Sequence, residues 1–258
     1  MLLEALQPPL EPERVLRIVP ELGLARGVGQ GDFHHLDTLG HILQTIREIE
    51  GELQESRLSA RVQKERRDGL RLVGLLHDIA KPITRGELEG RVLFVAHDTL
   101  GARQARSICR RLGVSAQMTD MAATLTALHL KIGFMSNPRS DYPPERLVLA
   151  VGPFAEELAV LSWADRLAAR GARLKPEHIE RHRKLCEEFL SHSHARPVPD
   201  VPDYEALAGR LGLEYAAEAN AGYAAFHLRL LAARGVPESE AETQIAGMLA
   251  GDGSGGEY

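Results

Sequence analysis

Apolar residues recur at helical spacing along most of the chain. In LDTLGHILQTIREIE, Leu39, Ile42, Ile46 and Ile49 share one face, and Asp37 or Thr38 stands where a cap is needed. The pattern predicts a helix from Asp37 to Gly51. A second stretch, Asp68 to Ala80, repeats Leu70, Leu72, Val73, Leu75, Leu76 and Ile79. It is expected to stop at Lys81-Pro82, because a proline ring disfavours helical backbone in the residue before it. The same period predicts helices over Thr99–Leu112, Ser115–Leu130, Pro144–Val151, Ala155–Ala169 and Pro176–Ser193. Upstream, Pro8, Pro9, Pro12 and Pro20, followed by Gly27, Gly29 and Gly31, leave room for one short helix, Glu13 to Val19, among loops. Arg85 to Val95 holds two glycines and the run VLFV and reads as a loop or a brief extended piece.

Continuous helices with almost no alternating strand pattern point to an all-α fold. ARPVPDVPD, Ala195 to Asp203, is stiffened by three prolines and reads as a linker. Beyond it the pattern predicts helices over Tyr204–Leu211, Ala216–Arg234 and Glu238–Leu249. The expected division is a helical domain over 1–196, a C-terminal helical extension over 203–250 and a disordered tail, GDGSGGEY, over 251–258. Tyr204, Leu211, Tyr215, Tyr223, Phe226 and Leu230 give the extension an apolar face. That face is free to cover a site, to pack as a small subdomain or to pair two copies in a homodimer.

Composition adds a few boundaries. With 44% hydrophobic and 26% charged residues, the chain has the make-up of a folded domain. No apolar run approaches bilayer length and no basic leader precedes an apolar core, so neither a membrane span nor a secretory signal is expected, and the chain is placed in the cytoplasm. Cys109 and Cys186 read as small buried thiols. A net charge of −5 excludes a protein that coats DNA non-specifically, while leaving a nucleotide or an RNA end open as substrate.

The candidate chemistry centres on GLLHDIAKP, where His77 and Asp78 close an apolar helix and Lys81 follows one turn later. An adjacent imidazole and carboxylate can bind one divalent ion, or the carboxylate can bridge two. A lysine one turn away can hold a phosphate oxygen as a point charge. A helix C-terminus whose dipole favours His and Lys accounts equally well for the string taken alone.

In order along the chain stand His41 in DTLGH, His77-Asp78 in LLHDIAKP and Asp165 in LSWADRLAARG. This order of a His, a His-Asp pair and a distant Asp resembles the HD-domain phosphohydrolase superfamily. Similarity is strongest to the HD domains of bacterial tRNA nucleotidyltransferases, which share three further features. These are an Asp four residues before the first His (here Asp37), the string HD-x-x-K-P-x-T (His77 to Thr84) and a later His before a helix (His97 in FVAHDTLGARQARSICRRLGV). A comparable arrangement occurs in HD domains fused to polynucleotide kinases in RNA-repair proteins. The resemblance runs from about His34 to Gly171 and implies an HD-domain helical bundle.

It also implies a ligand set. His41, His77, Asp78 and Asp165 would hold one divalent ion; in a dinuclear site Asp78, His97 and His129 (in ALHLKIG) would hold the second. Mixed His/Asp ligation suits Mn, Fe, Co, Ni or Zn, and Mg can still function. Asp78 and Lys81 are the expected catalytic residues, and Lys81, Arg85 and Arg166 the expected phosphate contacts. Around them, Asp98 reads as a helix cap, HIERH (His178 to His182) as a solvated face, and His192 and His194 as surface residues. His34 and His35 read as residues lining the mouth of the site.

The implied activity is that of a phosphomonoesterase and cyclic phosphodiesterase acting on nucleotides or RNA 2′,3′-phosphate ends. Two alternatives stand beside it: hydrolysis of another phosphorylated metabolite or signalling nucleotide (a dNMP or dNTP), and a non-catalytic nucleotide- or RNA-binding module. The chain shows no strand-rich nucleotidyltransferase head, no Walker GxxxxGK[ST] loop and no GYP element. A free-standing hydrolase is therefore expected.

Overall fold

The computed structural model of the chain describes residues 10–55, 57–197 and 199–251. The expected disordered tail lies, from 252 on, outside the described residues, as do Pro8 and Pro9. Among the described residues the fold is an all-α bundle whose strands are confined to one antiparallel hairpin. Helices α1 (Pro12–Ile18), α2 (Thr38–Glu55), α3 (Arg67–Leu76) and the single turn α4 (Lys81–Thr84) lead into β1 (Arg85–Leu88) and β2 (Arg91–Phe94). Then follow α5 (His97–Leu112), α6 (Ala116–Leu128), the single turn α7 (Lys131–Phe134), α8 (Pro144–Val151), α9 (Ala155–Ala169) and α10 (Pro176–His194). Past the proline linker come α11 (Tyr204–Arg210), α12 (Ala217–Ala233) and α13 (Glu238–Gly251).

Local chemistry accounts for the element ends. Asp37 caps α2, its carboxylate accepting the Gly40 N–H at 2.7 Å, and its other oxygen takes the Gly27 N–H at 2.6 Å. Ser115 caps α6 by accepting from the Met118 N–H. The helix expected to run to Ala80 instead ends at Leu76. A turn over residues 77–80 follows, and α4 then begins with Pro82 in its first turn, where the missing N–H costs nothing. The loop expected from Arg85 to Val95 is the hairpin, its turn residues Glu89 and Gly90 both at positive φ, as a tight two-residue connection demands.

The apolar stripe of α2 packs against α9 and α3, and α3 in turn packs on α6. Leu70, Leu72, Val73, Leu75 and Leu76 are all buried, so α3 runs through the middle of the core. The stretch Pro144–Ala169 is long and apolar enough to cross a bilayer, contrary to the expectation that no such run exists. It is α8 and α9, however, and 89% of its apolar window is buried inside the bundle. Cys109 and Cys186 are both buried and free, and burial pushes each thiol up to about 12.

The C-terminal helices pack on the bundle rather than standing away from it. Helix α12 lies along α6 and α8, with α13 against it. Tyr223 and Phe226, part of the extension's apolar face, are buried within the chain, in an apolar cluster with Ala102, Ala123, Leu207 and Ile245. Tyr215 of that face remains exposed. The approach of α12 to α6 depends on Gly222, where a Cβ would stand 2.2 Å from the Ala116 carbonyl oxygen. Gly222→Ala is expected to force the helices apart at a cost of about 1–3 kcal/mol, read as a lower urea midpoint.

Candidate metal centre

Five segments bring their polar side chains to one point inside the bundle. His41 projects from the first turn and a half of α2, and His77 is the C-cap of α3 with Asp78 in the turn after it. His97 opens α5, His129 is the C-cap of α6, and Asp165 lies on α9. Each of these polar residues is placed by an apolar helix packed on its neighbours, which is why residues more than a hundred positions apart converge.

The two oxygens of Asp78 face different pairs of histidines. Oδ2 lies 3.3 Å from His77 Nε2 and 3.5 Å from His41 Nε2; Oδ1 lies 3.6 Å from His97 Nε2 and 3.7 Å from His129 Nε2. Asp165 Oδ1 completes the first side, 2.9 Å from His41 Nε2 and 4.0 Å from His77 Nε2. Donors bound about 2.1 Å from one ion stand roughly 3–3.5 Å apart, so these spacings suit two ligand groups that share Asp78.

The tautomers agree with that reading. Nδ1 of His77, His97 and His129 each sits 2.7–2.9 Å from a backbone carbonyl, of Gly74, Phe94 and Thr126 respectively. A ring nitrogen must donate there, so in the neutral imidazole the lone pair is on Nε2, aimed at the centre. Nε2 of His41, His77 and His97 and Oδ1 of Asp78 are buried without a hydrogen-bond partner, while Oδ2 has the Lys81 ammonium at 2.6 Å. Unsatisfied buried donors and acceptors at this density are costly unless a cation completes them. The residues present therefore fit one or two divalent ions.

The electrostatics favour anionic carboxylates. Burial opposes ionisation of Asp78, but the charges of Lys81 and His77 outweigh it and hold the carboxyl well below its usual range. Asp165 is likewise held low by His41 against the effect of burial. Burial works against a charged His77 too, yet Asp78 keeps it above the usual imidazole range, whereas burial carries His129 down to about 4.

Lys81 is buried beside the donors, its Nζ 2.6 Å from Asp78 Oδ2 and 2.6 Å from Gln30 Oε1, above the Phe94 ring. It thus meets the carboxylate itself. Arg85 starts the exposed strand β1, and Arg166 acts on His182 and Cys186 of α10; the structure groups neither with the donor cluster. Asp98 is not the cap of α5, whose N-cap is Ala96; it sits in the first turn and pairs with Lys131 at 2.9 Å. HIERH is only half solvated: His178 is exposed, while His182 is buried with Nε2 3.0 Å from Ser162 Oγ. His192 and His194 pair with Glu145 and Glu156 at the surface.

Nothing in the sequence marked Gln30, and His34 was placed only at the mouth of the site. His34 joins His41 and Asp165 as a third group of possible ligands, its ring edge-on to His41 at 4.8 Å, and burial, Lys81 and His41 lower it to about 3. Gln30 orients Lys81. Both lie on the loop before α2, which is stitched to the end of α9 by His35 N–H to Ala169 and Gly171 N–H to Phe33. That stitch needs Gly171, since a Cβ there would sit 2.2 Å from the Phe33 carbonyl carbon. The pointer in the sequence was the His34-His35 doublet after a glycine-rich run.

The sequence profile of the HD domain family matches residues 33–170, which contain every one of the converging ligands. The chain belongs to the HD domain family. HD domains form the metal-dependent phosphohydrolase superfamily and bind divalent metals. The chain is similar to an A-adding tRNA nucleotidyltransferase of Deinococcus radiodurans, 32% identical over 59% of this chain and 32% of that protein. It is similar to a CC-adding tRNA nucleotidyltransferase of Thermus thermophilus, 29% identical over 74% of this chain and 41% of that protein. A bifunctional uridylyltransferase/uridylyl-removing enzyme of Azospirillum brasilense is 34% identical over 48% of this chain and 13% of that protein. The chain spans less than half the length of these relatives.

Adding Mn²⁺ at about 100 times its Kd to chelator-stripped protein is expected to raise stability by roughly 2.7 kcal/mol by mass action. Differential scanning fluorimetry checks this, and an unmoved melting temperature contradicts it.

Proposed function

We propose that this HD domain is a divalent-metal-dependent phosphohydrolase, a phosphomonoesterase and cyclic phosphodiesterase acting on nucleotides or RNA 2′,3′-phosphate ends. The observation that carries the reading is the placement of the Asp78 carboxylate, one oxygen toward His41 and His77 and the other toward His97 and His129. His41, His77, Asp78, His97, His129 and Asp165 would hold the divalent ion or ions, which would supply Lewis-acid polarisation of the phosphoryl group and a water acidic enough to attack at neutral pH.

The chain's own residues do the remainder. Asp78 and Asp165, held ionised by their neighbours, provide the negative charge that retains cations in a buried place. His77, His97 and His129 are fixed in one tautomer by their backbone carbonyls, so the donor set needs little reorganisation. Lys81 keeps an ammonium within the site, where it offsets the charge that accumulates on phosphate oxygens. Gln30 holds that ammonium in place.

Incubation with 2′,3′-cyclic AMP and with an aryl phosphate, each with Mn²⁺, Co²⁺, Ni²⁺ or Mg²⁺, tests the proposal. Release of phosphate or of ring-opened nucleotide is the expected result, and no release from either substrate sinks it. Lys81→Met is expected to lower kcat about 100-fold or more while metal content stays at the parent level. Loss of metal with the rate would assign Lys81 to ligand positioning instead. A second substrate class, a uridylyl phosphodiester, is supported by similarity to relatives named as uridylyl-removing enzymes; it enters the same assay as a further arm.

A further inference from the structure

A second concave site borders α5, and none of the metal ligands lines it, although Asp98 and Leu128 on its wall neighbour His97 and His129 in the chain. Helices α5, α6, α12 and α13 enclose a cavity of about 450 Å³, within the range of small-molecule sites. Its walls are aromatic and aliphatic: Tyr223 and Phe226 from α12, Leu128 from α6, Ile245 and Met248 from α13. Two guanidinium groups, Arg103 and Arg234, border it, and among the described residues neither has a carboxylate partner. Lys131 and Asp98 also border the cavity and neutralise each other at 2.9 Å, while Asp141 is the one further carboxylate on its wall.

Inside stands His227, its ring 4.5 Å from Tyr223 and 4.7 Å from Phe226. Its Nε2 is buried with no hydrogen-bond partner. A polar atom left so in an aromatic cavity is a recognition group awaiting its complement. Burial, then Arg103, Arg106 and Arg234, lower the imidazole to about 4. It is therefore neutral at physiological pH and offers one donor and one acceptor, as a heterocyclic base edge requires. The Gln244 amide on the wall has the same dual capacity.

We propose that this cavity binds a mononucleotide, its base against the aromatic and aliphatic wall with one edge toward His227 and its phosphate on Arg103 and Arg234. The base supplies flat apolar area for Tyr223 and Phe226, and the phosphate supplies the anion for two guanidinium groups that have no carboxylate partner among the described residues. An inorganic anion alone would leave the aromatic wall and His227 unused. A neutral aromatic would leave the arginines unused. The site requires no metal and stands whether or not the proposed hydrolysis occurs.

Isothermal titration calorimetry of the full chain in EDTA, with AMP as the probe, tests this. The expected result is saturable binding at one AMP per chain, with adenosine and ribose 5-phosphate each weaker. Arg103→Gln with Arg234→Gln, both exposed positions, is expected to weaken AMP about 10-fold or more. His227→Leu is expected to weaken AMP while leaving ribose 5-phosphate unchanged. The proposal is overturned if no saturable heat appears, or if the double arginine variant binds AMP as the parent does. It is equally overturned if AMP binds only once Mn²⁺ is restored, since that would place it at the metal centre.

Discussion

Asp78→Asn is expected to lose its divalent metal and to hydrolyse 2′,3′-cyclic AMP about 1000-fold or more slowly than the parent. Among the described residues, no other carboxylate lies within 4.0 Å of both groups of histidines. Its Oδ2 meets His41, His77 and Lys81, and its Oδ1 meets His97 and His129. The amide keeps the shape and removes the anion. One side then presents a donor N–H to lone pairs that need a cation, and the other keeps a single neutral oxygen. Elemental analysis of the purified variant and the cyclic-nucleotide assay are the two measurements. Undiminished turnover by a variant with an unchanged circular dichroism spectrum would sink the hydrolase reading.

Arg229→Met is expected to cost about 3–5 kcal/mol of stability. Asp120 on α6 is fully buried and is held by Arg229 from α12 through both guanidinium nitrogens, one of them at 2.9 Å. Tyr204 Oη donates to the same carboxylate at 2.8 Å and Thr124 Oγ1 at 3.0 Å. Removing the guanidinium leaves an ionised carboxylate inside the protein with only neutral donors, a state far costlier than the loss of one surface ion pair. Urea unfolding measures the difference. The double variant Asp120→Asn/Arg229→Met is expected to recover part of the loss, because both charges are then gone. A single-variant cost below about 1 kcal/mol, the size of an exposed pair, would show that this network does not hold α12 to the bundle.

Much of the architecture was legible before any coordinates. Helices Pro144–Val151 and Ala155–Ala169 match the pattern end for end, because proline at an N-terminus and glycine between helices are strong local signals. The boundary at His77 was not legible. The apolar period carries on through Ile79 and Ala80, and only the packing of α4 shows that the chain turns first. His182 illustrates the opposite error. Charged neighbours in sequence suggested solvent, but on a helix the residues four apart decide burial, and Ser162 of α9 covers this one.

The site divides in the same way. His41, His77, Asp78, His97, His129 and Asp165 were readable as residues, since short motifs keep their order along the chain. The resemblance also implied their division into two sets that share Asp78, but the distances within each set were not readable, because they depend on how α2, α3, α5, α6 and α9 cross. Gln30 carries no motif and His34 was readable only as a residue of the mouth; both reach the donors on a loop that closes on α9 at Gly171.

What the amino-acid sequence determined by itself is local: the helical period, the caps, the proline linker and the identity of the metal-type ligands. The tertiary structure decided which oxygen of Asp78 faces which imidazoles, where Lys81 finds its partners, and that the C-terminal helices fold back over α5 and α6. The division has one physical reason. Helix period and capping are set by residues three or four apart. The donor geometry, the Asp120–Arg229 pair and the cavity beside His227 are set by packing between residues far apart in the chain, which no local pattern encodes.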